Sequence, residues 1–218
     1  MAIFVFDAYG TLFDVHAAIG RFRAQAGPEA DRMSETWRAK QLEYSWTLTL
    51  AGHYVDFWTL TERALDYALT RFPSVDKALR PQLLEAYFKL DAFLDARAAL
   101  SALKKAGHKT AILSNGSPNM LKGAVDAAGI GSDLDAVLSV DALKMFKPRP
   151  EVYSLVTDRF KCKPNDVTFV SSNRWDVMAA ISVGFHGLWV NRGKMPDEYF
   201  DFPPQQELYN LSGLEALA

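Results

Sequence analysis

Cysteine is nearly absent from this chain of 218 residues, and so is a net charge of either sign. The single Cys162 excludes an intrachain disulfide and any metal cluster built from several thiolates. A formal charge of −2 leaves no basic field for nucleic acid and no basic stripe for a membrane surface. No apolar run is long enough to span a bilayer, and no signal-like segment precedes the first predicted strand. We therefore expect a cytoplasmic protein that acts on a small molecule.

Apolar residues, at 49% of the chain, are abundant enough to bury a core. Their spacing predicts five parallel strands at 3–6, 109–114, 136–140, 167–171 and 187–191. Helices are predicted to start at Asp95, Pro118, Pro150 and Trp175, and residues 15–89 have helical periodicity. The pattern predicts an α/β fold, a Rossmann-like parallel-sheet core with helices on both faces and an inserted all-helical cap. The predicted core domain is 1–14 and 90–218, with its tail from Met195 lying over it, and the cap is 15–89.

The segment Phe4–Asp14 carries a carboxylate at the end of a buried strand. Asp7 lies at the carboxyl end, where open α/β sheets place their ligands, and Gly10 lets backbone N–H groups approach an anion. An isolated Asp here would more simply be a turn former. The longer pattern Asp-x-Tyr-Gly-Thr-Leu-Phe-Asp outweighs that interpretation, because it resembles the nucleophile motif of the haloacid dehalogenase superfamily. With Tyr9 it looks like the L-2-haloacid dehalogenase branch.

Tyr9 stands where the phosphatases of that superfamily carry a second Asp as general acid and magnesium ligand. A phenol has a pKa of about 10 and is a poor ligand for hard cations. Phosphoryl transfer is therefore disfavoured from the first motif onward.

The second strand end reads Ser114-Asn115-Gly116-Ser117-Pro118. Ser and Asn before a helix are good N-caps, which is the structural interpretation. The same hydroxyl, amide and free N–H groups also suit a substrate carboxylate. The pattern alone leaves both interpretations open.

The third strand end supplies Lys147, directly before a proline-started helix that carries Tyr153. A single Lys in a turn is ordinarily a surface residue. Its Lys-Pro pair matches the third motif of the superfamily, however, and this places it beside Asp7. An ammonium about 4 Å from that carboxylate interacts by about 4 kcal/mol at an effective dielectric near 20, which would keep Asp7 ionised.

The fourth strand end, Ser171-Ser172-Asn173-Arg174-Trp175-Asp176, resembles the Ser-Ser-Asn-x-aromatic-Asp signature of L-2-haloacid dehalogenases. Phosphatases of the superfamily usually place acidic magnesium ligands here, so we expect no metal. Arg174 departs from the small residue expected at that position. Its cation either points to solvent or narrows the cleft.

In the cap, the pattern Trp-Arg-x-x-Gln-Leu-Glu-Tyr at 37–44 resembles the dehalogenase segment that supplies a halide-binding arginine, here Arg38. Without the resemblance Arg38 would be taken as a solvated helix residue. The match of 54–58 to the next cap helix supports the resemblance. It implies an apolar pocket lined by Leu42, Phe57 and Trp175.

The resemblance implies hydrolysis of short-chain L-2-haloalkanoic acids to D-2-hydroxy acids through an Asp7 ester, without a cofactor, in a homodimer. The implied catalytic residues are Asp7, Thr11, Lys147, Tyr153, Ser171, Asn173 and Asp176. Halide would leave toward Arg38, Asn115 and Trp175, and the substrate would contact Tyr9, Ser114, Asn115, Leu42 and Phe57. Two alternatives stay open: a magnesium-dependent phosphatase of the same superfamily, and a non-catalytic module that binds small anions.

Overall fold

The computed structural model describes residues 1–217 and contains a six-stranded parallel sheet. The strands are β1 Ile3–Phe6, β2 Lys109–Ser114, β3 Ala136–Ser139, β4 Val167–Ser171, β5 His186–Val190 and β6 Gln206–Leu208. The predicted α/β fold and its five strands are confirmed, with ends displaced by at most one residue. The sixth strand was not predicted, because it has only three residues, of which Gln206 and Glu207 are exposed, so it carries no apolar run.

β1 lies at the centre of the sheet, in the order β3-β2-β1-β4-β5-β6, and all of its side chains are buried. Phe6 is in register with Ile112 of β2 on one side and with Val170 of β4 on the other. The strand order runs outward from β1 in both directions, which makes the gap between β1 and β4 the place where such sheets bind ligands. The residues that follow these strands therefore meet at one edge.

The elements between β1 and β2 are helical: α1 Ala17–Gly20, α2 Arg23–Ala26, α3 Ala30–Leu50, α4 Phe57–Arg71, α5 Arg80–Phe88 and α6 Ala96–Lys105. α4 starts where the Asp56 carboxylate accepts hydrogen bonds from the N–H groups of Trp58 and Thr59, at 3.0 and 3.1 Å. α3 and α4 are joined by Trp37, whose indole N–H donates to the Thr61 carbonyl at 2.9 Å. The division into a core and a cap stays a prediction.

The remaining helices are α7 Pro118–Ala128, α8 Ser154–Phe160 and α9 Arg174–Ser182. α7 starts at the predicted proline and ends at Gly129, whose φ of 64° is the left-handed conformation that favours glycine. The helix predicted at Pro150 begins instead as a 3-10 turn over Pro150–Tyr153. Within the described part of the chain, no helix has the length and apolar composition needed to cross a membrane.

Candidate active site

Lys147 lies at the centre of a buried cluster at the sheet edge. Its ammonium donates to Asp7 Oδ1 at 3.2 Å, to Asp176 Oδ2 at 2.8 Å and to the carbonyl of Leu113 at 2.6 Å. These contacts use all three donors of the ammonium, and Lys147 is only 1% exposed. The ordinary surface interpretation of this lysine is therefore wrong, and one cation holds two carboxylates.

The Asp7 carboxylate has a donor on each side. Opposite Lys147, its Oδ2 accepts from Thr11 Oγ1 at 3.1 Å and from Asn173 Nδ2 at 2.8 Å. Thr11 is itself fixed, because its hydroxyl oxygen accepts from the N–H of Ser172 at 2.8 Å. Asp7 is 5% exposed, and these bonds keep its carboxylate in one orientation at the end of β1. A buried, hydrogen-bonded carboxylate at this position is suited to act as an oriented nucleophile.

Asp176 is the second carboxylate of the cluster and is completely buried. Its Oδ1 accepts from the Tyr153 hydroxyl at 2.5 Å, and its Oδ2 accepts from Ser171 Oγ at 3.4 Å in addition to Lys147. Burial raises the pKa of Asp176 to about 6, against the opposing attraction of Lys147. Burial also raises the pKa of Tyr153, so this phenol remains a donor. Asp176 can therefore exchange a proton near neutral pH.

The strand end after β2 supplies Ser114 and Asn115, neither of which caps α7. The cap is Ser117, whose hydroxyl accepts from the N–H of Met120. Ser114 Oγ accepts from the N–H of Gly116 at 3.1 Å, and Asn115 Oδ1 accepts from the N–H of Lys147 at 3.0 Å. The Ser114 hydroxyl proton and the Asn115 amide N–H groups remain for a ligand. The N-cap interpretation of this segment is therefore confirmed at Ser117, and it does not apply to Ser114 and Asn115.

Arg38 reaches from α3 to the turn after β1. Its Nη2 donates to the carbonyl of Tyr9 at 3.0 Å and its Nη1 donates to Gln41 Oε1 at 2.8 Å. Arg38 is half-buried, so the solvated-helix interpretation is wrong. It lines a cavity of about 650 Å³ together with Gly10, Asn173 and Trp175. The Arg38 guanidinium and the Trp175 indole thus line the same cavity as Asn173, whose amide binds Asp7.

The apolar side chains predicted as a pocket are in different environments. Phe57 is buried with its ring 6.2 Å from that of Tyr9, whereas Trp175 packs edge-on against Trp46 at 5.3 Å. Leu42 is half-buried on α3, one turn after Arg38. Among residues 1–217 no ring contact joins Phe57 to Trp175. The structure brings Phe57 to Tyr9 and brings Trp175 to the Arg38 cavity.

Arg174 binds the C-terminal segment and does not point to solvent. Its Nε donates to Asp197 Oδ1 at 2.6 Å, and its Nη2 donates to the carbonyls of Tyr199 and Phe202, both at 2.8 Å. Arg174 is 4% exposed and belongs to the wall of the Arg38 cavity. The solvent interpretation is wrong, and the guanidinium fastens the tail to the start of α9.

Three residues that contact this site were missed by sequence reasoning. Gln41 binds Arg38, and Tyr87 stacks on Tyr9 with ring centroids 5.8 Å apart. Arg192 pairs with Asp95 at 2.8 Å and donates to the carbonyl of Thr11 at 3.1 Å. Only Gln41 had a usable signal, its spacing of three residues from Arg38 on one helix.

The metal-ligating side chains of residues 1–217 form no group of three that could hold an ion. Both carboxylates of the site are instead bound to the Lys147 ammonium. A cation at this position would have to compete with that ammonium for both carboxylates.

Three comparisons with known proteins, by family model, by sequence and by structure, indicate the same family. Residues 1–184 match the haloacid dehalogenase-like hydrolase family. (S)-2-haloacid dehalogenase 1 of Pseudomonas sp. (strain CBS-3) is 47% identical over 214 residues, which are 98% of this chain and 94% of that protein. A crystal structure of a dehalogenase with intermediate complex has a TM-score of 0.97 at 44% identity and covers 100% of this chain and 96% of its own.

A further solved structure is L-2-haloacid dehalogenase from Xanthobacter autotrophicus with chloropropionic acid covalently bound. Its TM-score is 0.90 at 36% identity, and the match covers 100% of this chain and 98% of that one. The chain therefore belongs to the (S)-2-haloacid dehalogenases, hydrolases acting on carbon–halide bonds within the haloacid dehalogenase-like family.

Proposed function

We propose that the chain hydrolyses short-chain L-2-haloalkanoic acids to D-2-hydroxy acids and halide through an ester on Asp7. The observation that carries this proposal is the buried pair of carboxylates on one ammonium: Asp7 and Asp176 both bind Lys147. The displacement of halide needs a nucleophile and the hydrolysis of the ester needs a base, and this cluster supplies one of each. The covalent chloropropionic acid in the Xanthobacter autotrophicus enzyme supports an ester route.

In the first step an oxygen of Asp7 attacks the substrate Cα, and the carbon–halogen bond breaks as the new C–O bond forms. Thr11, Asn173 and Lys147 hold the attacking carboxylate in a single orientation. The departing halide takes the electron pair of the broken bond. We assign its stabilisation to the free N–H groups of Arg38 and Asn115 and to the edge of Trp175.

The substrate carboxylate sets which carbon faces Asp7. We assign it to the Ser114 hydroxyl, whose oxygen already accepts from Gly116 and whose proton is free to donate. Backbone N–H groups near Tyr9 and Asn115 complete this anion site. Tyr9, Leu42 and Phe57 supply the apolar contacts of a short alkyl chain.

In the second step water attacks the carbonyl carbon of the Asp7 ester, and Asp176 accepts the proton of that water. A base with a pKa of about 6 is ionised at neutral pH and still able to take up a proton. Lys147, Ser171 and Tyr153 hold its two oxygens in place. The bond between the Asp7 carbonyl carbon and the substrate oxygen then breaks, and that oxygen takes up the proton held by Asp176, so the hydroxy acid is released. Asp7 returns to a carboxylate by losing the second proton of the water to solvent.

The two alternatives are less well supported. A magnesium-dependent phosphatase would need an acidic ligand in addition to Asp7 and Asp176, and Tyr9 stands where the second acidic residue of its first motif would be. A non-catalytic anion module would not need a second carboxylate buried behind the first. We also propose that the enzyme is metal-independent, cytoplasmic and homodimeric.

Halide release from L-2-chloropropionate, measured with and without excess EDTA, tests the proposal. We expect release at the same rate in both, no release from the D enantiomer, and none with Asp7→Asn, in which a poor amide nucleophile replaces the carboxylate. Circular dichroism of this variant controls for its fold. Strict dependence on Mg²⁺, together with turnover of phosphate esters, would support the phosphatase instead. Sedimentation equilibrium tests the homodimer separately.

A further inference from the structure

We infer that Gln41 is a positioning residue for dehalogenation, because it fixes the Arg38 guanidinium that faces the departing halide. The inference rests on the proposed function and deepens it. Gln41 lies three residues after Arg38 on α3, so the two side chains lie on one helical face. Its Oε1 accepts from Arg38 Nη1 at 2.8 Å.

The same oxygen accepts a second hydrogen bond, from the hydroxyl of Tyr87 on α5, at 3.0 Å. Burial raises the pKa of Tyr87, which keeps this phenol protonated and able to donate. Arg38 can only donate, so the Gln41 atom that faces it must be the carbonyl oxygen. Two donors on one acceptor thus determine which way the amide points.

The other end of the amide is equally constrained. Gln41 Nε2 donates to Thr61 Oγ1 at 2.6 Å, and the Thr61 hydroxyl donates its only proton to the carbonyl of Phe57 at 2.7 Å. Thr61 can therefore only accept from Gln41. Gln41 is 1% exposed and Thr61 is completely buried, so water offers no substitute for these bonds. A reversed amide would break contacts at both ends.

Arg38 is held at two points as a result. Gln41 holds Nη1, and the carbonyl of Tyr9, in the turn after Asp7, holds Nη2 at 3.0 Å. Two bonds on the two terminal nitrogens fix the plane of the guanidinium, and its remaining N–H groups are directed as one rigid set. Without Gln41 one bond remains, about which the group can swing. Gln41 therefore acts on the halide only through Arg38.

The test compares Gln41→Met with Tyr87→Phe as a matched control. Gln41→Met removes the amide and with it the bonds to Arg38, Tyr87 and Thr61, whereas Tyr87→Phe removes only the Tyr87 bond to the same oxygen and leaves the bond to Arg38 in place. Single-turnover halide release is measured with L-2-chloropropionate and L-2-bromopropionate, and decay of the ester is followed by intact mass. Chloride is the poorer leaving group and depends more on donated hydrogen bonds.

For Gln41→Met we expect the first step to slow about tenfold with the chloro substrate and about threefold with the bromo substrate, with ester decay within about twofold of wild type. Tyr87→Phe should keep the wild-type chloride-to-bromide ratio. In an Arg38→Lys background, Gln41→Met should not shift that ratio further. Should the Met variant not fold, Gln41→Asn, whose amide is withdrawn by one methylene, should give the same shift.

Equal slowing of both substrates and both steps, or the same ratio in the Gln41 and Tyr87 variants, would overturn the inference and leave Gln41 a packing residue. Wild-type enzyme that released neither halide would remove the proposed function as well. Wild-type release with an unchanged ratio in Gln41→Met would remove only the role of Gln41.

Discussion

Lys147 stabilises the charge of two carboxylates at once. Its ammonium lies between Asp7 and Asp176, and all three groups are buried. A cation and a carboxylate about 4 Å apart attract by about 4 kcal/mol at an effective dielectric near 20. Removing the cation leaves two buried carboxylates close together without the counter-ion that they share. Lys147 is therefore both structural and catalytic in our account.

Lys147→Met should abolish turnover and lower the free energy of unfolding by about 3–5 kcal/mol, the usual cost of breaking a buried ion pair. Lys144→Met is the matched control, because Lys144 forms an exposed ion pair with Asp141. It should cost less than about 1 kcal/mol and leave turnover unchanged. Urea unfolding monitored by fluorescence measures both. Equal stability of the two variants would show that the Lys147 cluster is not under this electrostatic constraint.

The raised pKa of Asp176 predicts how the rate of the second step depends on pH. Burial raises its pKa from 3.8 to about 6, so the base is ionised above about pH 6 and protonated below. Ester hydrolysis should therefore slow about tenfold for each pH unit below 6, and the ester should accumulate. Because the native state binds this proton more tightly than the unfolded state, this group lowers stability as pH rises from about 4 to 6.

Rapid-quench measurement of ester decay between about pH 4.5 and 8 checks this profile. In Tyr153→Phe the ionised form of Asp176 loses a hydrogen-bond donor, so the midpoint should move to higher pH. A rate of ester decay that is flat down to pH 5 would remove Asp176 as the base.

At the level of secondary structure, five strands were predictable from the sequence, and the sixth strand, β6 at one edge of the sheet, was not. Apolar runs predict β1, β2, β4 and β5 because these strands are almost entirely buried. β6 has only three residues, and Gln206 and Glu207 are exposed, so no hydrophobic pattern identifies it. Its pairing beside β5 depends on the course of the tail, which is held by tertiary contacts.

Arg174 supplies one such contact between elements, from α9 to residues 197–202. Replacing Arg174 by Met should free this segment and lower the free energy of unfolding by about 1–3 kcal/mol, because Asp197 and two carbonyls lose a charged donor. Arg149→Met is the control, since Arg149 pairs with Glu151 at the surface. Hydrogen exchange should increase at 197–202 only in the Arg174 variant. Unchanged exchange there would mean that β6 alone holds the tail.

For the whole molecule, topology predicts where the site lies, but packing completes it. Parallel strands that end at one edge bring together Asp7, Ser114 and Ser171, and this follows from apolar runs and polar residues after them. The contact of Arg38 with the Tyr9 carbonyl spans two parts of the chain and was not predicted, and only the family resemblance assigned Arg38 to the site. Tyr87 and Arg192 reach the site through tertiary packing, which no local pattern encodes, whereas Gln41 had one local signal, its helical spacing from Arg38.

Asp7 is the nucleophile of the proposed mechanism, and tracing the oxygen of water distinguishes a nucleophile from a general base. L-2-chloropropionate is turned over once in H₂¹⁸O with enzyme in excess. The ¹⁸O label then enters either the Asp7 carboxylate or the product hydroxyl, depending on the mechanism. Water that attacks the ester carbonyl leaves its oxygen in Asp7, so we predict a labelled Asp7 peptide and a D-lactate hydroxyl with ordinary oxygen. Direct attack by water also inverts the carbon, so stereochemistry does not separate the two routes. A labelled product hydroxyl with an unlabelled Asp7 peptide would contradict the account and make Asp7 a general base.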